Sequence, residues 1–251
     1  MKTQPAIEAD ALRASYGETV VLENVSFRVA PGEIVTILGG SGCGKTTLMK
    51  NMIGLEVPSA GRVLIEGEDL TASFGDERQR ILRRFGVMFQ SGALFGSMSL
   101  SENIELVLEE FTDLPPAARR AVARLKLGLV GLADAADKLP SEISGGMCKR
   151  AAIARAMALD PGLIFLDEPS AGLDPVTSAG IDSLILRLRE VLGTTFVIIT
   201  HELPSIFAVA DRAVMLDKSV KGIIAEGRPE DLRDSSENPL VRAFFHREAQ
   251  T

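Results

Sequence analysis

Short apolar runs recur along this chain, separated by stretches whose apolar positions repeat every three or four residues. Runs of strand length fall at 25–29, 34–38, 63–65, 87–89, 163–166, 196–200 and 213–216. Alternating with helical patterns, they predict an α/β fold whose strands are buried in a largely parallel sheet. From residue 91 to about 157 the pattern turns helical, with helices over 100–110 and 115–127 and another starting near Gly145. Pro115 and Pro116 suit a helix start, Gly128 and Gly131 a helix stop. The expected organisation is a core of 1–90 and 158–230, an inserted helical subdomain over 91–157, and a helical tail over 231–251.

Composition removes several functions. Of 251 residues, 46% are hydrophobic and 24% charged, as in an ordinary globular protein. A net charge of −7 speaks against a nucleic-acid partner, because a phosphate backbone needs a basic footprint. The two cysteines, Cys43 and Cys148, have no metal-ligand spacing. The first residues lead into no apolar core of a secretory signal, and the uncharged stretch 85–101 holds Gln90, serines and glycines. A membrane role is therefore expected through partners.

The run Gly39-Gly40-Ser41-Gly42-Cys43-Gly44-Lys45-Thr46-Thr47 fits G-x-x-x-x-G-K-[ST], between an apolar run at 33–38 and a helix expected over 45–53. Glycines let successive N–H groups point at one anion, and the opening helix adds its positive dipole end. Lys45 would supply a full charge to the β- and γ-phosphates of a nucleotide, and the Thr46 hydroxyl would ligate Mg²⁺. Cys43 reads as a small filler whose place beside a helix N-terminus would lower its thiol pKa.

A second motif ends the run 162–166 in Asp167-Glu168-Pro169. A buried strand would deliver both carboxylates at its C-terminal tip, where open parallel sheets bind ligands. Asp167 is placed to hold Mg²⁺ through its water shell, and Glu168 to orient or deprotonate an attacking water. A third motif, Ser144-Gly145-Gly146-Met147, opens the helical run 148–159 and makes another anion-binding helix end. One γ-phosphate can use the helix ends at Lys45 and Ser144 only if they come from facing chains.

These motifs, in this order, resemble the ATP-binding-cassette (ABC) ATPases over essentially the whole chain. The matching residues are Tyr16 ahead of the phosphate loop, Gln90 ending a strand and Ser144-Gly145-Gly146. Asp167-Glu168, the loop from Ser170 to Asp174 and His201 after a strand complete the series. The resemblance implies a P-loop NTPase of the ABC fold with a mainly parallel core sheet, an N-terminal antiparallel β part and an inserted α-helical subdomain. ATP and Mg²⁺ are the implied cofactors. Two copies would sandwich two ATP molecules head to tail, each between the phosphate loop of one chain and the Ser144 turn of the other. Tyr16, the sole tyrosine in a chain without tryptophan, would stack on adenine. Gln90 would reach the Mg²⁺ shell and the water, His201 the γ-phosphate, and Asp174 would mark the loop between the subunits. The usual signature reads Leu-Ser-Gly-Gly-Gln; Ile143 and Met147 replace its ends, and a thioether cannot make an amide's hydrogen bonds.

Met147, the segment 86–103 and the closing run 238–245 are similar to ATPases of Mla-type, MCE-associated lipid transporters. That similarity implies phospholipid movement through a membrane permease and an MCE-type lipid-binding protein. The ATPase would then be peripheral on the cytoplasmic face of a bacterial inner membrane. A transporter ATPase for another solute and a soluble ABC ATPase of the iron–sulfur assembly kind share the same ATP motifs and stay open. Leu94, Phe95, Met98 and Leu100 form a charge-free apolar patch beyond Gln90, expected to dock the permease. Arg78, Arg80, Arg83, Arg84, Arg119, Arg120 and Arg124 are expected on solvated helix faces.

Overall fold

The computed structural model describes residues 4–248. The chain begins with β1 (Ile7–Tyr16), β2 (Thr19–Val29) and β3 (Ile34–Gly39), then enters α1 (Lys45–Met52). β4 (Ala60–Ile65), β5 (Glu68–Asp69), α2 (Gly75–Leu82) and β6 (Phe85–Met88) follow. Three helices come next: α3 (Leu100–Phe111), α4 (Pro116–Leu129) and α5 (Gly145–Ala156). The chain returns through β7 (Leu163–Asp167), α6 (Pro175–Leu192), β8 (Thr195–Ile199) and α7 (Leu203–Val209). It then runs through β9 (Arg212–Asp217), β10 (Gly222–Gly227), α8 (Pro229–Ser235) and α9 (Pro239–His246).

A six-stranded sheet has the order β10-β9-β3-β8-β7-β6, parallel except for the antiparallel β10–β9 edge pair. A second, antiparallel sheet has the order β2-β1-β4-β5. The expected α/β fold with a mainly parallel core sheet and an N-terminal antiparallel part is the fold observed.

Alternation along the central strands explains why they read as unbroken apolar runs. On β7, Leu163 and Phe165 join the core under the antiparallel sheet, while Ile164 and Leu166 join the core under α3–α6. Both faces are covered, so no position is left for water. Each such side chain stabilises the fold by about 1.5–3 kcal/mol. The helical core meets the sheet closely at Gly86: a Cβ there would lie 1.9 Å from the Ala156 carbonyl oxygen, so α5 can rest on β6 only over a glycine.

Helix termini follow local chemistry. Ser99 and Glu102 form a capping box at the start of α3. Asp174 caps α6, which ends at Gly193 in the left-handed conformation.

Some expectations shift. The strand expected at 87–89 lies at Phe85–Met88, and the helix expected over 45–53 ends at Met52. β1 was hidden by its own pattern: its buried positions alternate with polar ones, and shifts in its pairing with β2 around Leu12 break the period. Arg80, Arg83, Arg120 and Arg124 are exposed as expected, whereas Arg78, Arg84 and Arg119 are half-buried. Arg78 donates to the Gly54 and Leu70 carbonyls at 2.6 and 2.9 Å, Arg84 pairs with Glu66 and Glu68, and Arg124 pairs with Asp137.

Candidate active site

The C-terminal tips of β3, β7 and β8 carry the candidate chemistry side by side. At β3, the backbone of Gly39 (φ 142°) has no room for a side chain, since a Cβ would sit 2.4 Å from the Leu216 carbonyl oxygen. Gly44 (φ 104°) is held equally tightly against Leu22. The loop so formed wraps the Lys45 ammonium, which donates to the carbonyls of Gly39 at 2.7 Å and Gly40 at 3.0 Å. Gly40, Ser41, Gly42 and Thr46 face solvent, whereas Cys43 and Thr47 are buried. Burial pushes the Cys43 thiol up, against the opposing influence of Lys45. The expected lowering is thereby corrected: desolvation outweighs the helix end and the neighbouring ammonium.

β7 ends at the half-buried Asp167 and delivers Glu168 next to it. Burial raises the Asp167 carboxyl, and the Glu168 charge adds to the rise, while Lys149 and Lys45 oppose it. A carboxylate so placed gains from a cation. Glu168 is buried with a left-handed backbone (φ 48°), and its N–H donates to the Ile199 carbonyl at 2.8 Å. Its Oε1 lies 2.7 Å from His201 Nδ1, while Oε2 is buried without a hydrogen-bond partner. The Ser170 hydroxyl two residues on is likewise buried and unpartnered. A buried carboxylate oxygen with nothing bound to it is costly, and a polar ligand would relieve the cost.

Gln90, past β6, has an exposed side chain. It lines a cavity of about 590 Å³ together with Ser91, Gly145, Lys149, Asp167 and Ala171. Gln90, Asp167 and the start of α5 thus share one opening. Ser144 caps α5 by accepting from the Met147 N–H at 3.3 Å. Gly146 is buried, and a Cβ there would come within 2.4 Å of the Thr177 methyl in the first turn of α6. Asp174 caps that turn, accepting from the N–H groups of Val176 and Thr177 at 3.0 Å each. The signature turn and the Asp174 loop are therefore packed together. Met147 is half-buried and packs against the helical core.

Tyr16 stands apart, half-exposed at the β1–β2 hairpin, with its hydroxyl donating to Glu56 at 2.7 Å. The same hairpin contributes Val21 and Leu22 to the wall behind Gly44, which ties it to the phosphate loop. Sequence reasoning missed Lys149. It is buried, donates to the Gln90 carbonyl and, at 3.0 Å, to that of Glu168, and burial lowers its pKa against the pull of Glu168 and Asp167. Its one signal was a lysine entering the small, apolar run 151–154 of α5.

The expected docking patch divides. Leu100 is core and Leu94 packs on the helical core, which leaves Phe95 exposed and Met98 half-buried. Buried Asn103 pins this loop, accepting from the Phe95 N–H at 2.8 Å and donating to the carbonyls of Phe95, Met98 and Ser99. Alongside runs a largely apolar groove of about 430 Å³, with Val87, Val107, Phe111 and Leu159 in its walls and Arg83 and Glu110 among its polar residues. Arg155 joins groove and loop, lining the first and donating to Gly92 and Ala93 of the second. No helix among the described residues is long and apolar enough to cross a membrane.

The sequence profile of the ABC transporter family matches residues 22–171. The intermembrane phospholipid transport system ATP-binding protein MlaF of Haemophilus influenzae is 40% identical over 239 residues, covering 95% of this chain and 90% of that protein. The probable ribonucleotide transport ATP-binding protein mkl of Mycobacterium bovis is 39% identical, over 96% of this chain and 66% of that one. Among solved structures, the dimeric post-hydrolysis state of the ATP-binding cassette MJ0796 bound to ADP and Pi superposes with a TM-score of 0.80 at 30% identity. It covers 88% of this chain and 98% of that one.

Proposed function

The chain belongs to the ABC transporter family as an ATP-binding and ATP-hydrolysing subunit, and we propose that it powers phospholipid movement through a membrane permease served by an MCE-type lipid-binding protein. The observation that carries the hydrolytic part is the half-satisfied carboxylate of Glu168, with one oxygen on His201 and the other buried and unpaired.

In this reading the phosphate loop from Gly39 to Thr47 cradles the β- and γ-phosphates with its N–H groups, and Lys45 leaves its carbonyl partners for them. Tyr16 stacks on adenine. Glu168 takes a proton from water while the water oxygen bonds to the γ-phosphorus and the bond to ADP breaks, giving ADP and phosphate. His201 holds the Glu168 carboxylate and meets the γ-phosphate. Thr46, Asp167 and Gln90 are all oxygen donors, which suits Mg²⁺, and the raised Asp167 carboxyl fits a site waiting for a cation. An ion held by these residues would neutralise charge on the phosphates. Among the described residues no cluster of three or more His, Cys, Asp or Glu side chains could hold a metal alone, so phosphate oxygens and water would complete the shell.

ABC cassettes form dimers, as the MJ0796 structure does. A second copy would place its Ser144, Gly145 and Gly146 on this chain's ATP, with Asp174 in the loop between the two copies. The apolar groove would receive a cytoplasmic helix of the permease, because Arg155 in its wall is bonded to Gly92 and Ala93 in the loop that follows Gln90. The cassette would then lie peripherally on the cytoplasmic face of a bacterial inner membrane. The likeness to MlaF over nearly the full length of both chains supports phospholipid as cargo; the likeness to mkl supports a different solute. Tagged purification from native membranes, with mass spectrometry of proteins and lipid, decides. Co-purification of a permease, an MCE-type protein and phospholipid is expected. Recovery with soluble scaffold proteins alone would overturn the transport reading.

A further inference from the structure

Lys149 sits in the second turn of α5, buried, and both of its acceptors are main-chain carbonyl oxygens, those of Gln90 and Glu168. These two residues lie on separate elements, the loop after β6 and the tip of β7. One ammonium therefore ties together the backbones of the side chains assigned above to the Mg²⁺ shell and to proton removal.

The tie has work to do at both ends. Glu168 adopts a left-handed backbone that a non-glycine residue keeps only where its peptide groups are held. Ile199 holds its N–H at 2.8 Å, and its carbonyl receives Lys149 at 3.0 Å and the Ala171 N–H at 3.3 Å. At the other end, Arg155 on the same helix donates to the carbonyls of Gly92 and Ala93, so α5 grips the Gln90 loop at two places. The helix that does this gripping starts at Ser144, the turn assigned to the partner's ATP.

We propose that Lys149 is a positioning residue for hydrolysis, which holds the Gln90 loop and Glu168 in register with each other from the Ser144 helix. A lysine suits the task because its ammonium has three donors and can serve two carbonyls from one point. The proposal rests on the ATPase reading above.

Lys149→Met and Lys149→Arg in the full chain test it. Methionine keeps the buried stem and loses the donors; kcat should fall about tenfold or more, with the Kd for ATP changed by less than about twofold. Arginine, which retains donors and charge, should restore most of the turnover. Wild-type turnover in Lys149→Met would overturn the proposal. So would an equal loss in both variants with weakened ATP binding, which would make Lys149 a packing residue only. If Lys149→Met fails to fold, Lys149→Gln replaces it, because its shorter amide cannot reach both carbonyls from one point, and wild-type turnover there would overturn the proposal. Failure of the underlying reading looks different: Glu168→Gln would then still hydrolyse ATP, whatever the Lys149 variants do.

Discussion

His201 Nδ1 lies 2.7 Å from Glu168 Oε1, joining the tips of β8 and β7 across 33 residues of sequence. The contact fixes one carboxylate oxygen and leaves the other buried without a hydrogen-bond partner, as the proposed role of Glu168 as base calls for. His201→Ala removes the fixing partner and leaves the phosphate loop intact. Turnover should drop by about 100-fold or more while nucleotide binding persists, since orientation of a general base is worth that much. Steady-state phosphate release beside fluorescent-nucleotide titration checks this; a variant with unchanged kcat would remove His201 from the site.

Phe95 is 52% exposed on the loop that Arg155 joins to the apolar groove, and its backbone is pinned by Asn103. Phe95→Asp should therefore leave folding and ATP binding intact, yet weaken permease association by about 2 kcal/mol or more, as for a buried aromatic anchor. Co-sedimentation with permease-containing membranes measures it. Wild-type stoichiometry in the variant would place the docking surface elsewhere.

Asn103 itself satisfies one N–H and three carbonyls in a residue with no exposed surface. Asn103→Ala strands the Phe95 N–H and the Met98 carbonyl, whereas the Phe95 and Ser99 carbonyls keep the backbone N–H groups of Met98 and residue 103, and the variant should lose about 2–3 kcal/mol in urea unfolding. A loss below about 0.5 kcal/mol would show the loop to be held by other contacts.

Asp182 on α6 is buried, which raises its carboxyl above the ordinary 3.8; Glu202 adds to the rise and the Ser205 hydroxyl opposes it. The unfolded chain thus releases this proton at a lower pH than the folded one. Over the interval from 3.8 up to the raised folded value, the folded state binds more protons, so wild-type stability falls as pH rises. The amide introduced by Asp182→Asn does not titrate. The stability of this variant relative to wild type should therefore climb from about pH 4 up to the raised folded value and then level off, as thermal unfolding across a pH series would show. A difference independent of pH would contradict the burial argument.

The residues read most easily from sequence were those whose chemistry is contiguous. The phosphate loop, Asp167-Glu168 and Ser144-Gly145-Gly146 each occupy one short segment between recognisable elements, so spacing alone implied their geometry. The pairing of Glu168 with His201 followed only from two strand tips meeting in a parallel sheet. Lys149 was illegible because its acceptors are backbone carbonyls, which carry no residue signature. Cys43 was misjudged because its sequence shows a helix end and a nearby lysine but not the burial that outweighs them. The apolar patch after Gln90 blurred core and surface: Leu100 and Phe95 are both apolar, and only packing separates them. α6, in contrast, carries legible limits at Asp174-Pro175 and Gly193.

Glu168 is proposed to perform hydrolysis in an ATP site completed by a second copy. Glu168→Gln incubated with MgATP tests it in one sample, by light scattering for mass and phosphate release for turnover. A stable dimer holding unhydrolysed ATP is expected, with turnover lowered about 100-fold or more. A monomer that hydrolyses ATP at close to the wild-type rate would contradict it.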